Sequence, residues 1–340
     1  MPLSGKENPL SDDALAGESG GDADAYFQLS SKLVRYGSAH LRAVQMSEYL
    51  ASRGQRNLSS ALLACGHHLL FRYFPTAEKV RLTKADFCHR SVLCPLCAVR
   101  RASQALALYV DRIACYLEDE PTCSPYLVTV TIANGPDLLE RYLHLRGAMR
   151  SYSQMRRDSY KDSSRHRPEF AKAHGGVSSI EFTHSDDKGW HPHFHAVWLS
   201  AESIDASSLA RDWYLITGDS YIVDVTPFDP DRELAVNLME VLKYALKFAG
   251  LSLEANYQAF TTLRGRRLVD VFGCLRGLKL PEDFDTLTDS TADLDWLPYL
   301  DLAYTYLGDG LYSLTDAVHS AHVALPGPPQ VWLDEAELPF

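Results

Sequence analysis

The segment His191-Pro192-His193-Phe194-His195-Ala196-Val197-Trp198 constrains this chain more than any other. It reads as a β-strand, and successive strand side chains point to opposite faces. His193 and His195 therefore emerge together, with Phe194, Ala196 and Trp198 on the other side. Two neutral imidazoles at this spacing can chelate one divalent ion without straining the backbone. The plain alternative is a strand edge that happens to be rich in histidine, so the rest of the chain has to decide.

At 340 residues, 46% of them hydrophobic, the chain is long enough for one large or two modest domains with real cores. No apolar run approaches a membrane span, and no basic start followed by an apolar stretch marks an export signal, so a cytoplasmic location and no membrane partner are expected. Seven cysteines, three of them between Cys88 and Cys97, point in such a compartment to metal rather than disulfides. The net charge of −11 is unevenly spread: residues 1–30 carry −5 and residues 281–340 carry −12, which leaves +6 for residues 31–280. The basic middle is weak evidence for a polyanion partner.

The first thirty residues, rich in Gly, Ser, Asp and Ala, read as disordered. Residues 33–74 are mixed and partly helical, with a turn at Cys65-Gly66, and residues 80–97 read as a knuckled loop. Apolar spacing predicts a helix over 98–118. Strands follow over 126–132, 175–183, around the histidines after Gly189, and at 221–225, with a basic helical region through Lys172 between the first two. An amphipathic helix is expected over 233–248, and the acidic segment after Pro281 reads as a tail or small accessory element.

Cys94-Pro95-Leu96-Cys97 is the tight pair whose turn aims two sulfurs at one ion, and Cys88 adds a third. Cys65 is the best fourth ligand, with His89 and His67 as alternatives. Cys115 reads as a core thiol, and Cys123 and Cys274 have no partner spacing. In the 233–248 helix, Glu240, Tyr244 and Lys247 fall at i, i+4 and i+7 on one face. Most tyrosines at such spacing are core residues. A phenol between a carboxylate and an ammonium can instead attack a phosphodiester, if a metal polarises the phosphorus and the lysine stabilises the developing charge.

Together these residues resemble the replication initiators of rolling-circle plasmids, the single-tyrosine branch of the HUH endonucleases. The resemblance covers roughly residues 60–250 and rests on four signals in order: Cys65, Cys88, Cys94 and Cys97 with Arg100 and Arg101; Leu127-Val-Thr-Val-Thr131; His191, His193 and His195; and Glu240-x3-Tyr244-x2-Lys247. It implies an α+β fold of the RRM/ferredoxin-like type, with a five-stranded antiparallel sheet, flanking helices, a central histidine strand, the tyrosine helix packed across it, and an N-terminal zinc-binding segment. The expected division is a weakly ordered or disordered 1–45, a helical zinc segment 46–124, a nickase domain 125–280 and an acidic tail or accessory element 281–340.

The resemblance also implies a mechanism. Tyr244 nicks the plus strand of a double-strand origin, keeps the 5′-phosphate as a phosphotyrosine and frees a 3′-hydroxyl for host polymerase, with a host helicase as a further partner. His193 and His195 hold Mn²⁺ or Mg²⁺, while Zn²⁺ is structural. Glu181, whose strand alternation sets it away from Ile180 and Phe182, is the choice for third ligand, with His184 and His191 as substitutes. Glu240 activates the water or strand that ends the cycle, or is only a surface carboxylate. Arg150, Arg156 and Arg157, with Arg141, Arg146, Lys161, Arg165 and Arg167 of the same basic region, and Arg100 and Arg101, are the expected DNA contacts. The rival readings are an HUH transposase or mobilisation relaxase, a metal-dependent amidohydrolase barrel, which would need later histidines that do not occur until His319, and a non-catalytic zinc-ribbon DNA-binding adaptor.

Overall fold

Strand alternation does build a sheet around the histidine segment. A computed structural model of the chain describes residues 20–162, 164–242, 250–276 and 288–319, with the side chains at 20–24, 239–242 and 318–319 left out. In chain order its elements are α1 (Gly20–Ser52), α2 (Arg56–Ala64), β1 (His68–Phe74), β2 (Lys79–Ala85), α3 (Pro95–Asp119), β3 (Ser124–Thr131) and α4 (Leu138–Lys161). Then follow β4 (Ala173–Ser185), β5 (Gly189–Ser200), α5 (Ala206–Thr217), β6 (Val223–Pro227), α6 (Leu234–Leu242), α7 (Leu253–Leu263), β7 (Val269–Gly273), β8 (Leu300–Gly308) and β9 (Leu311–His319). The described residues thus form an α+β protein with two antiparallel sheets. The chain divides into two units, one of Met1–Leu41, Gly66–Asp86 and Thr288–Phe340, the other of Arg42–Cys65 and Phe87–Leu287.

The second unit holds a five-stranded sheet in the order β6-β3-β5-β4-β7, with the histidine strand β5 in the middle. One face is mostly apolar. Val128, Val130, Ile180, Phe182, Phe194, Ala196 and Trp198 pack there against Leu138, Tyr142, Leu145 and Tyr152 of α4, Leu209 and Trp213 of α5, and Ala255, Ala259 and Leu263 of α7. Each such large side chain contributes roughly 1.5–3 kcal/mol of burial, so this layer fixes the sheet's register. Side-chain caps set the helix starts: Asp137 accepts from Glu140 N, Asp205 from Ser208 N and Ser252 from Ala255 N.

The other face changes character along its length. At one end Val177, Val197 and Leu199 are buried under Tyr109 and Ile113 of α3 and Leu238 of α6. Toward the other end the same alternation brings up Ser179 and Glu181 on β4, His195, His193 and His191 on β5, and Thr129 and Thr131 on β3. Gly176 lies where strands approach too closely for a side chain, since a Cβ there would sit 2.1 Å from the Val197 carbonyl oxygen.

The first unit contains the order β2-β1-β8-β9. Leu69, Phe71, Tyr73, Leu300, Leu302, Tyr304 and Tyr306 are among its buried strand residues, and Tyr36 of α1 lies 6.2 Å from the Phe71 ring. Gly37 of α1 is required by a close approach, because a Cβ would fall 1.7 Å from Gly310 O.

Two expectations need correction, and a third is narrowed. Residues 20–45, expected to be weakly ordered, belong to the helix α1, which buries Leu29, Tyr36 and Ala39; residues 1–19 lie outside the described residues. The loop expected from residue 80 begins with the strand β2, so the segment 46–124 is not helical throughout. The acidic segment from 281 is no simple tail, because β8 and β9 complete a sheet with β1. Its buried Leu300, Leu302, Tyr304 and Tyr306 follow a period of two that the acidity of the segment hides, and Asp301 is neutralised by Arg72, its Nε 2.9 Å from Oδ1. Residues 277–287 and 320–340, with Pro326, Pro328 and Pro329, lie outside the described residues.

Candidate metal centre and histidine face

Cys65 ends α2 at its C-cap, Cys88 follows β2, and Cys94 is the N-cap of α3, with Pro95 in the first turn and Cys97 just behind it. These three stretches bring four sulfurs within 4.8 Å of one another. Cys65 and Cys88 each lie 3.6 Å from Cys97, and Cys94 lies 3.5 Å from Cys65. A disulfide needs sulfurs about 2 Å apart, whereas four thiolates about 2.3 Å from one zinc ion sit about 3.8 Å from each other. The spacing therefore suits a tetrahedral metal such as Zn²⁺. Hydrogen bonding to the Cys65 thiol and the other two, and burial after that, hold Cys94 well above the ordinary thiol range. Metal must displace protons to bind there. Of the alternative ligands, His89 takes a left-handed turn conformation between the cysteines, with φ of 57°.

On the histidine face, Glu181 is fully buried at 0% exposure, and its Oε2 lies 3.1 Å from Nε2 of His195. That imidazole nitrogen makes no hydrogen bond among the described residues, so the two atoms sit side by side rather than donor to acceptor. Nδ1 of His195 lies 2.9 Å from Oγ1 of Thr129 on the neighbouring strand. His193 and His195 have parallel rings 5.8 Å apart, and His191 stands 4.3 Å from His193. Burial lowers the pKa of His191, which favours the neutral imidazole. Among the described residues the cysteines are the one group of three or more ligands drawn fully together; Glu181, His193 and His195 share a face without closing to that spacing. His184 is on the opposite face, packed 4.7 Å from the Trp190 ring, and is no substitute ligand.

No known protein family, curated protein or solved structure matches the chain. What it can do is read from its own residues.

Glu240 belongs to α6, which Leu238 anchors on the histidine-bearing face of the sheet. The side chain of Glu240, and Tyr244 and Lys247 altogether, lie outside the described residues.

The basic residues separate into two groups. Arg100 is only 4% exposed, which removes it from any DNA-facing surface, whereas Arg101 one position on is exposed. Arg156 is spent inside the fold, donating to Phe170 O at 3.1 Å and Ala173 O at 2.8 Å. Arg141 donates to Ala133 O, and Arg146, Arg165 and Arg167 pair with Asp270, Asp162 and Glu202. Arg150, Arg157 and Lys161 remain exposed on α4, spaced so that they share one stripe.

Two clusters were invisible to spacing arguments. Asp212, 3% exposed, accepts from Tyr152 Oη at 3.1 Å and from Glu169 N at 2.8 Å, and lies 2.6 Å from His166 Nε2. Cys123, which has no partner in sequence, lies 3.3 Å from His174 Nδ1, itself 3.0 Å from Tyr116 Oη. The contacts to Asp212 and to His174 span 43 to 60 positions of the chain, so no local pattern announces them.

Proposed function

We propose that the chain is a single-tyrosine HUH endonuclease that initiates rolling-circle replication of a plasmid. The observation that carries this reading is the pair of fully buried Glu181 and half-buried His195, on the central strands of a five-stranded antiparallel sheet, with α6 seated on the same face. Their 3.1 Å separation is close to the edge of about 3.0 Å between neighbouring ligands of an octahedral ion with bonds near 2.1 Å. His193, one pleat along, is the third donor, with His191 beside it. A Mn²⁺ or Mg²⁺ ion bound by them would supply Lewis-acid polarisation of the scissile phosphate.

In this reading the phenolic oxygen of Tyr244 attacks phosphorus, the bond from phosphorus to the 3′ oxygen breaks, and that oxygen leaves with a proton as a 3′-hydroxyl. Lys247 offsets charge on the phosphoryl oxygens, and Glu240 accepts the proton of the water or strand that later releases the phosphotyrosine. The exposed stripe Arg150, Arg157 and Lys161, with Arg101, holds the origin's phosphates. Host helicase and polymerase use the freed end. The cysteine-bound zinc pins the start of α3, whose Tyr109 and Ile113 lie under the sheet. The test is incubation with Mn²⁺ and a supercoiled origin plasmid, followed by mass spectrometry of the peptide–oligonucleotide adduct. A 5′ adduct on Tyr244, absent from Tyr244→Phe, is expected. Full nicking by Tyr244→Phe refutes the assignment, and binding without any nicking by the unaltered protein favours the adaptor. An adduct on a DNA end that is joined to a new target favours the transposase or relaxase.

A further inference from the structure

The motif Leu127-Val-Thr-Val-Thr131 has no chemical task in the mechanism above, yet β3 lies directly beside β5 and pairs Thr129 with His195. We propose that Thr129 is a positioning residue: its hydroxyl holds His195 with Nδ1 protonated, so that the unprotonated Nε2 faces the cation position beside Glu181. The inference rests on the metal reading of the histidine face. An imidazole binds metal through its bare nitrogen, and which nitrogen is bare depends on the partner of the other. Here Oγ1 of Thr129 lies 2.9 Å from Nδ1, while Nε2 lies 3.1 Å from Glu181 Oε2 without forming a hydrogen bond.

The geometry favours this division of roles for three reasons. Two ring nitrogens related by a half-turn of the imidazole exchange places with carbons, so a ring not held by the threonine can lose its aim at Glu181 altogether. Thr129 is β-branched and sits mid-strand, which restricts χ1 and makes its oxygen a fixed mark. Thr131, two residues along the same face and opposite His193, does not repeat the arrangement. Its side chain is buried at 5% exposure, and Oγ1 makes no hydrogen bond among the described residues. The same strand therefore supplies both the device and its control.

The experiment uses the full zinc-loaded chain. Mn²⁺ binding is read from the resonance of the free ion, broadening of His195 by bound Mn²⁺ is read by NMR, and the imidazole ¹⁵N shifts of His195 report its tautomer without added Mn²⁺. Unaltered protein should show the Nδ1-protonated form. Thr129→Val should lose that preference and bind Mn²⁺ about 10–100-fold more weakly, as removal of a ligand's supporting partner does elsewhere. Thr129→Ser should stay within a few-fold of the unaltered protein, and Thr131→Val should match it. Equal Mn²⁺ affinity and tautomer in Thr129→Val overturns the proposal, as does equal weakening by Thr129→Ser and Thr129→Val with matching losses of thermal stability. If Mn²⁺ does not broaden His195 in the unaltered protein, the metal reading falls as well; if it does and Thr129→Val behaves the same, only the threonine's role falls.

Discussion

Replacing one cysteine of the metal centre should unfasten the start of α3 while leaving the sheet assembled. Cys97 is the informative choice, because it is fully buried and its sulfur lies 3.6 Å from both Cys65 and Cys88. With three ligands left, tight binding is lost. A ligand present at 1,000 times its dissociation constant stabilises the folded state by about 4 kcal/mol. In a unit this large each kcal/mol moves the melting temperature by about 2–4 °C, so Cys97→Ser should lower it by about 8–16 °C. Leu62, Leu93 and Leu96, neighbours of the cysteines in sequence, are buried apolar side chains, which should keep the loss from becoming global unfolding. Calorimetry with and without a strong chelator measures the shift, and elemental analysis should find one zinc per chain in the unaltered protein and none in the variant. The raised Cys94 thiol gives the sign with pH: protons compete harder as pH falls, so chelator sensitivity should grow toward acid and fade toward alkali. A purified protein with no metal, or a Cys97→Ser variant that melts with the unaltered chain at every pH, refutes the argument.

Three further outcomes follow from the same packing. Arg156→Ala should cost about 2–3 kcal/mol in denaturant unfolding, because two backbone carbonyls lose a charged donor, and should leave DNA affinity unchanged where the variant is folded. The pair Arg150→Ala and Arg157→Ala should do the reverse, lowering the salt dependence of DNA binding by about 0.9 logarithmic units for each phosphate that is no longer neutralised; an unchanged slope would remove α4 from the interface. Asp212→Ala should destabilise by about 3 kcal/mol, since Tyr152 and the Glu169 amide lose their buried acceptor, with unfolding midpoints as the measure.

Local chemistry was legible wherever one element carried it. Alternation in β5 fixed which side His193 and His195 occupy, and the same rule put Glu181 on the face away from Ile180 and Phe182. The cysteine spacing marked a candidate metal centre because a Cys-x2-Cys turn already aims two sulfurs together. Charge, by contrast, misled: the acids between 281 and 319 concealed two strands, and the run of arginines in and after α4 suggested a uniform DNA surface although Arg141, Arg146 and Arg156 are engaged within the fold.

What the amino-acid order determined by itself is the identity of the potential ligands and the side of each strand they take, since pleating and turn geometry act within a few residues. What only the tertiary structure decided is which of them meet. Strand order and register set Thr129 against His195 and Glu181 against its ring, 66 and 14 positions apart in the chain. Burial, which depends on what packs above a residue, separated Arg100 from Arg101. Meetings of that kind are settled by the apolar layer on the far side of the sheet, which holds the strands in register for the polar face.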